Sequence, residues 1–122
     1  MRTIQLETPG KFREIEEAEP QRQPGEALVR VHRIGVCGTD IHAFHGRQPF
    51  FEYPRILGHE LGVEILEIDA NEQGLQTGDR CSVEPYMNDV DSPASKSGKS
   101  NCCESLSVIG VHSDGGMRPL IT

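Results

Sequence analysis

Glycine and proline cut this chain into short pieces, with 13 Gly and 8 Pro among 122 residues. That punctuation leaves no room for a long amphipathic helix, and no helical periodicity is sustained anywhere. What survives between the breaks is short and β-like. Arg2-Thr3-Ile4-Gln5-Leu6 precedes a Thr8-Pro9-Gly10 turn, and Phe12 and Ile15 follow in a polar run closed by Glu19-Pro20. After Pro24-Gly25, the segment from Ala27 to His32 alternates β-branched and polar residues as a half-buried strand does. Val63 to Ile68 and Arg80 to Val83 are further strands, with the turn Gly74 to Gly78 between them. Val108 to Val111 and Pro119 to Thr122 complete the set. Many short strands joined by Gly/Pro turns predict a mainly β fold, a small and strongly curved sheet or barrel with few short helices. Thr39 or Asp40 is expected to cap the one helical turn, through Ile41 to Phe44.

The remaining bounds are chemical. A chain of this length holds one domain, residues 1–122, with one modest core. A net charge of −7 argues against nucleic acid as a partner, because binding phosphate needs a basic surface. The acidic patch Glu14-Ile15-Glu16-Glu17-Ala18-Glu19 reads as a solvated strand edge or turn. No apolar run approaches the roughly 18 residues that would cross a bilayer, and no membrane partner is expected. The N-terminus, MRTIQLETPG, lacks the apolar stretch of a signal peptide, so a cytoplasmic location is expected. In that reducing compartment the four cysteines, at 37, 81, 102 and 103, are expected to be buried, metal-binding or reactive rather than paired.

Cys37, His59 and Glu60 hold the chemistry that zinc accepts: thiolate, imidazole and carboxylate. Cys37 lies where a strand breaks beside glycines, and His59-Glu60 follow Gly58 at the start of another. A lone buried cysteine and a surface His-Glu pair would fit the same residues.

The wider context carries a resemblance. Gly35-Val36-Cys37-Gly38-Thr39-Asp40-Ile41-His42, then Pro54-Arg55-Ile56-Leu57-Gly58-His59-Glu60, then Gly78-Asp79-Arg80 resemble the zinc-containing medium-chain dehydrogenases, which include alcohol, sorbitol and threonine dehydrogenases. Gly110 to Met117 is similar to that family's strand leading into a Gly-Gly turn. The resemblance implies a GroES-like β-barrel, here partial, serving as a catalytic domain beside a nucleotide-binding Rossmann domain. It implies Cys37 and His59 as ligands of a catalytic zinc, and Glu60 as a ligand or its exchangeable neighbour. It implies Thr39 as the hydroxyl that bonds the substrate alcohol, His42 as the relay to solvent, and Asp40 as the carboxylate that orients the zinc histidine. The function it implies is NAD(P)-linked oxidation of a secondary alcohol, a polyol, sugar or sugar acid, to a ketone. A small-molecule alcohol is then the substrate.

The aromatics Phe44, Phe50, Phe51 and Tyr53 are expected as core or loop anchors, with a substrate cleft as the other reading. His32, His45 and His112 are expected at the surface or in packing, and Cys81 as a small buried apolar residue. The family's G-x-G-x-x-G turn is not among these residues, nor is its fourth zinc ligand. A fragment or truncated product is therefore expected, inactive by itself, with exposed strand edges that favour a homo-oligomer. The alternative is a stand-alone GroES-like module that binds or assembles without catalysis.

The stretch Asn88 to Cys103, NDVDSPASKSGKSNCC, raises a separate question. A phosphate loop ending at Ser100 would need glycine where Pro93 stands. The resemblance instead implies a lobe, residues 86–103, whose C-x2-C-x2-C-x7-C pattern holds a structural zinc in many family members. Here that spacing falls on Asp89, Ser92, Ser95 and Cys103. One thiol remains, so the structural zinc is expected to be lost and Asp89 to Lys99 to be mobile.

Overall fold

The computed structural model describes residues 1–49 and 51–122, so Phe50 lies outside the described residues. Among the described residues the chain is mainly β, in three small sheets that do not close into a complete barrel. β1 (Arg2–Thr8) and β2 (Lys11–Glu16) form an antiparallel hairpin. Its turn passes through Gly10 at φ +76°, a left-handed conformation that a side chain would resist. β2 is the strand that the polar run from Phe12 to Ile15 concealed.

β3 (Leu28–Gly35) and β4 (Glu60–Glu67) form the spine of a central antiparallel sheet of four strands. β5 (Arg80–Ser82) flanks β4, and β8 (Leu120–Ile121) pairs with Val29 and Arg30, giving the order β5-β4-β3-β8. Val29, Leu61, Val63, Ile65 and Ile121 form the main core on one face, each 8 % exposed or less. Cys81 packs against this cluster, in keeping with its expected apolar role. A second core joins the hairpin to the helix: Leu6, Ala43 and Leu57, bordered by Phe44, Phe51, Tyr53 and Met117. The three aromatics among them anchor that core.

α1 spans Gly38–Phe44. Its cap differs from the expected one: Cys37 is the N-cap residue, and Asp40 in the first turn reaches back to accept the Cys37 N–H at 2.9 Å. An extended Cys37 closes the strand side while its amide would otherwise be left without a partner, so the carboxylate three residues on is the natural acceptor. The expected strand from Val108 to Val111 is also shorter. β7 (Ser107–Val108) pairs with β6 (Tyr86–Met87), and the chain then turns at Gly110, φ +79°. That turn is held by Gly110 N–H donating to Ser113 O at 2.8 Å, which withdraws the backbone from a ladder.

The lobe between β6 and β7 has a local frame. α2 (Pro93–Lys96) is capped by the Ser92 hydroxyl, which accepts from Ser95 N–H at 3.1 Å, and a 3-10 turn follows at Ser100–Cys102. The four positions of the cysteine pattern come together. Ser92 Oγ donates to Ser95 Oγ at 2.9 Å, Asn88 Nδ2 donates to the same Ser95 oxygen at 2.8 Å, and Cys103 Sγ lies 3.9 Å from Asp89 O. Hydroxyl and amide hydrogen bonds thus occupy the centre of the lobe. They give Asp89 to Lys99, expected from the sequence to be mobile, a set of ties of its own.

Cys103 is buried, and hydrogen bonding with the Ser105 and then the Ser92 side chain holds its thiol down at about 7 against the opposing effect of burial. A native pKa below the unfolded value means the native state releases its proton first, so stability rises between the two values. Raising the pH from about 7 to about 9 should stabilise the chain more than its Cys103→Ala variant, measured by urea unfolding at each pH. Equal pH slopes for the two would refute this.

Candidate metal centre and its relatives

The site forms where the β3-β4 ladder ends. The register runs Ile34↔Leu61 and then Gly35↔Glu60, the last pair. Beyond it the chain runs on from β3 to Cys37, and Gly58-His59 lead into β4. A β-bulge between Val31 and Arg33 sets the phase of this end, because each one-residue slip of register exchanges the faces of a strand. Pairing therefore delivers the thiol, the imidazole and the carboxylate to one place. A ligand atom from each of Cys37, His59 and Glu60 lies within 4.8 Å of the other two, the one such cluster of three among the described residues.

The donor set fits a zinc ion. Sulfur, nitrogen and oxygen donors are all acceptable to zinc, and three protein ligands with one open position make a catalytic site rather than a closed structural one. Burial supports the same fit. His59 is 8 % exposed and its Nδ1 has no hydrogen-bond partner, yet the Asp40 carboxylate faces it at 3.7 Å. A carboxylate beside Nδ1 favours the tautomer with hydrogen there, which leaves the Nε2 lone pair free for a metal. Asp40 is itself 5 % exposed and is tied through its other oxygen to Cys37 N–H. One buried carboxylate thus contacts two of the three candidate ligands.

Thr39 stands beside the cluster, its Oγ1 3.7 Å from Cys37 Sγ. His42 lies three residues further along α1, on the same helical face, and is exposed. An apolar depression of about 300 Å³ lined by Val36, Ile41, Phe12, Phe44 and Met117 reaches Asp40. The larger depression, about 370 Å³ around His32, Arg33, Arg80 and Cys81, does not include these residues. His32, His45 and His112 stay apart from the cluster. His32 pairs with Glu64 at 2.7 Å, His45 meets the ring of Phe44 edge-on, and His112 Nδ1 accepts from Val108 N–H.

Two features are not visible in the motif residues themselves. Behind His59, the segment 114–117 is bonded along residues 56–58, which lead to it. Gly115 N–H donates to Ile56 O at 2.7 Å, Gly116 N–H to Gly58 O at 2.8 Å, and Met117 N–H to Leu57 O at 2.9 Å. Asp114 Oδ1 closes the strip by accepting from Ile56 N–H at 3.0 Å. The Gly-Gly pair is the signal in the sequence, since only bare backbone approaches this closely. The other feature is Gly35, opposite Glu60.

Comparison with known proteins gives the same frame. The alcohol dehydrogenase GroES-like domain family matches residues 23–122. The chain belongs to the zinc-containing medium-chain alcohol dehydrogenase family, as its N-terminal GroES-like domain. L-galactonate-5-dehydrogenase of Escherichia coli K12 is 54 % identical over 97 residues, covering 80 % of this chain and 28 % of that protein. Among solved structures, the rspB alcohol dehydrogenase of E. coli CFT073, complexed with NADH, superposes with a TM-score of 0.87 at 34 % identity. It is covered over 35 % of its length by 99 % of this chain. Galactitol-1-phosphate dehydrogenase of E. coli gives a TM-score of 0.89 at 26 % identity, again over 99 % of this chain and 35 % of that one. The chain spans about a third of the length of these relatives. Among the described residues, no helix is long and apolar enough to cross a membrane.

Proposed function

We propose that this chain is the zinc-holding catalytic portion of an NAD(P)-linked dehydrogenase that oxidises a secondary alcohol of a polyol, sugar or sugar acid to a ketone. The observation that carries the reading is the convergence of Cys37, His59 and Glu60 at the end of one ladder. The substrate class draws support from the relatives, one named for galactonate and one for galactitol 1-phosphate, and the cofactor from a relative bound to NADH.

Cys37, His59 and Glu60 would hold the ion, and Asp40 would keep His59 in the tautomer that can bind it. Zinc bound there would supply Lewis acidity, lowering the pKa of the substrate hydroxyl. Thr39, next to the thiol, accepts the hydrogen bond of that hydroxyl and takes part in removing its proton. His42, exposed one turn along α1, passes the proton on to water. A nicotinamide cofactor, held by a nucleotide-binding domain, would supply the acceptor for the hydride that the carbinol carbon gives up. Through these steps the alcohol loses one proton and one hydride and becomes the ketone.

The test is metal uptake by the chain itself. Titration with zinc, and with cobalt as an optical substitute, should reach about one ion per chain and give the strong absorption of a cobalt-thiolate bond. With a hexitol or aldonate and NAD(P) the isolated chain should show no turnover. A chain that folds stably and takes up no metal would overturn the zinc reading and favour a binding module without catalysis.

A further inference from the structure

The triad needs space as well as ligands, and the space comes from Gly35. It closes the β3-β4 ladder opposite Glu60. A β-carbon at Gly35 would lie 2.9 Å from Glu60 Cβ and closer still to Glu60 Oε2. Both separations are shorter than real carbon contacts tolerate. The backbone of Gly35 is not in the left-handed region, so its conformation does not explain why glycine stands there. What an added methyl group would displace is the carboxylate of Glu60. Because Oε2 ends a flexible side chain, the contact can be relieved by rotating that carboxylate elsewhere, while the Cβ contact requires a small parting of the strands. Either adjustment moves Glu60 relative to Cys37, two residues beyond Gly35, and to His59.

We infer that Gly35 is a positioning residue for the metal centre: its missing side chain is the volume into which the Glu60 carboxylate turns to join Cys37 and His59. Gly35 touches neither metal nor substrate, and acts through Glu60. This inference rests on reading the triad as a zinc site, and it adds a requirement that the ligand residues alone do not reveal. It also separates two kinds of glycine in the motif around Cys37. A methyl group at Gly38, in the first turn of α1, would meet nothing within 4 Å, whereas one at Gly35 would meet a ligand.

The experiment compares zinc affinity, by competition with a chromogenic chelator, for the wild-type chain, Gly35→Ala, Glu60→Ala and the double variant. Cobalt spectra of each report the ligand field directly. Glu60→Ala should weaken zinc by about tenfold or more, and Gly35→Ala should weaken it by a similar factor. The double variant should be no weaker than Glu60→Ala, because two changes acting through one carboxylate do not add. Gly35→Ala and Glu60→Ala should also give matching cobalt spectra, which a general loss of stability would not produce.

Unchanged affinity in Gly35→Ala, no loss in Glu60→Ala, or fully additive losses in the double variant would each overturn the inference while leaving a zinc site in place. No metal uptake by the wild type would overturn the zinc reading itself, and the inference with it. Should Gly35→Ala fail to fold while the double variant folds, the clash lies with the carboxylate and the inference stands. Failure of both to fold, with Glu60→Ala folded, assigns Gly35 a purely structural role and overturns it.

Discussion

Replacing Gly115 with alanine should destabilise the chain by about 3 kcal/mol or more, lowering the thermal midpoint by roughly 10 °C or more. The added carbon would lie 2.5 Å from Leu57 O, 2.7 Å from Leu57 C and closer still to Gly58 O. All three are backbone atoms, so no rotamer change relieves the overlap. The segments must separate, and the separation acts on the hydrogen bonds from Gly115, Gly116 and Met117 to Ile56, Gly58 and Leu57. At about 1 kcal/mol each, these bonds account for most of the expected loss. Leu57 and Ile56 are at most 1 % exposed, so parting the strip also opens the second core. Against a total stability of about 5–15 kcal/mol, that is a large fraction.

Gly38→Ala is the control, since its methyl group meets open space and α1 gains from the better helix former. It should be neutral or slightly stabilising. Thermal unfolding followed by circular dichroism measures both. A Gly115→Ala chain as stable as the wild type would mean that the strip behind His59 yields more easily than its contacts indicate.

These two glycines show why part of the molecule is legible in the sequence and part is not. Strands β3 and β4 announce themselves through β-branched residues around Val29, Val31, Val63 and Ile65, which bury one face. The start of β4 at Glu60 is hidden, because Glu60, Leu61 and Gly62 have no strand pattern of their own. Pairing with Gly35, Ile34 and Arg33 makes them a strand. β2 is concealed for a related reason. Lys11 to Glu16 is exposed along nearly its whole length, so no alternation marks it, and the turn at Gly10 folds it onto β1.

Cys37, His59 and Glu60 can be named from their motifs, yet their convergence depends on register and on a bulge that composition does not encode. Gly35 and Gly115 contribute empty volume, and a glycine in the sequence does not say which neighbour will occupy it. In the lobe, the absence of cysteines at 89, 92 and 95 is plain, but the hydrogen bonds joining Ser92, Ser95 and Asn88 depend on three-dimensional placement.

Cys37→Ser should weaken zinc binding by at least about a hundredfold, and Asp40→Asn by roughly ten- to a hundredfold, for different reasons. Cys37 supplies the one thiolate of the three donors, and a serine hydroxyl stays protonated and binds zinc poorly at neutral pH. Asp40 supplies no donor to the cluster. One of its oxygens accepts Cys37 N–H at 2.9 Å and the other faces His59 Nδ1 at 3.7 Å. Asparagine can still offer an oxygen to the Cys37 amide, so α1 keeps its start, but the negative charge beside the imidazole is gone. Asp40→Ala removes both roles. It should add a stability loss of about 1–2 kcal/mol, from an uncapped first turn and an amide left without its partner. Chelator competition measures the zinc affinities, and urea unfolding of the metal-free chains measures the cap. The expected order of affinity is wild type, Asp40→Asn, Asp40→Ala, Cys37→Ser, with stability falling at Asp40→Ala but little at Asp40→Asn. Should both Asp40 variants bind zinc as the wild type does, the carboxylate would be a helix cap alone, and the orientation of His59 would have to come from the glycine-lined strip behind it.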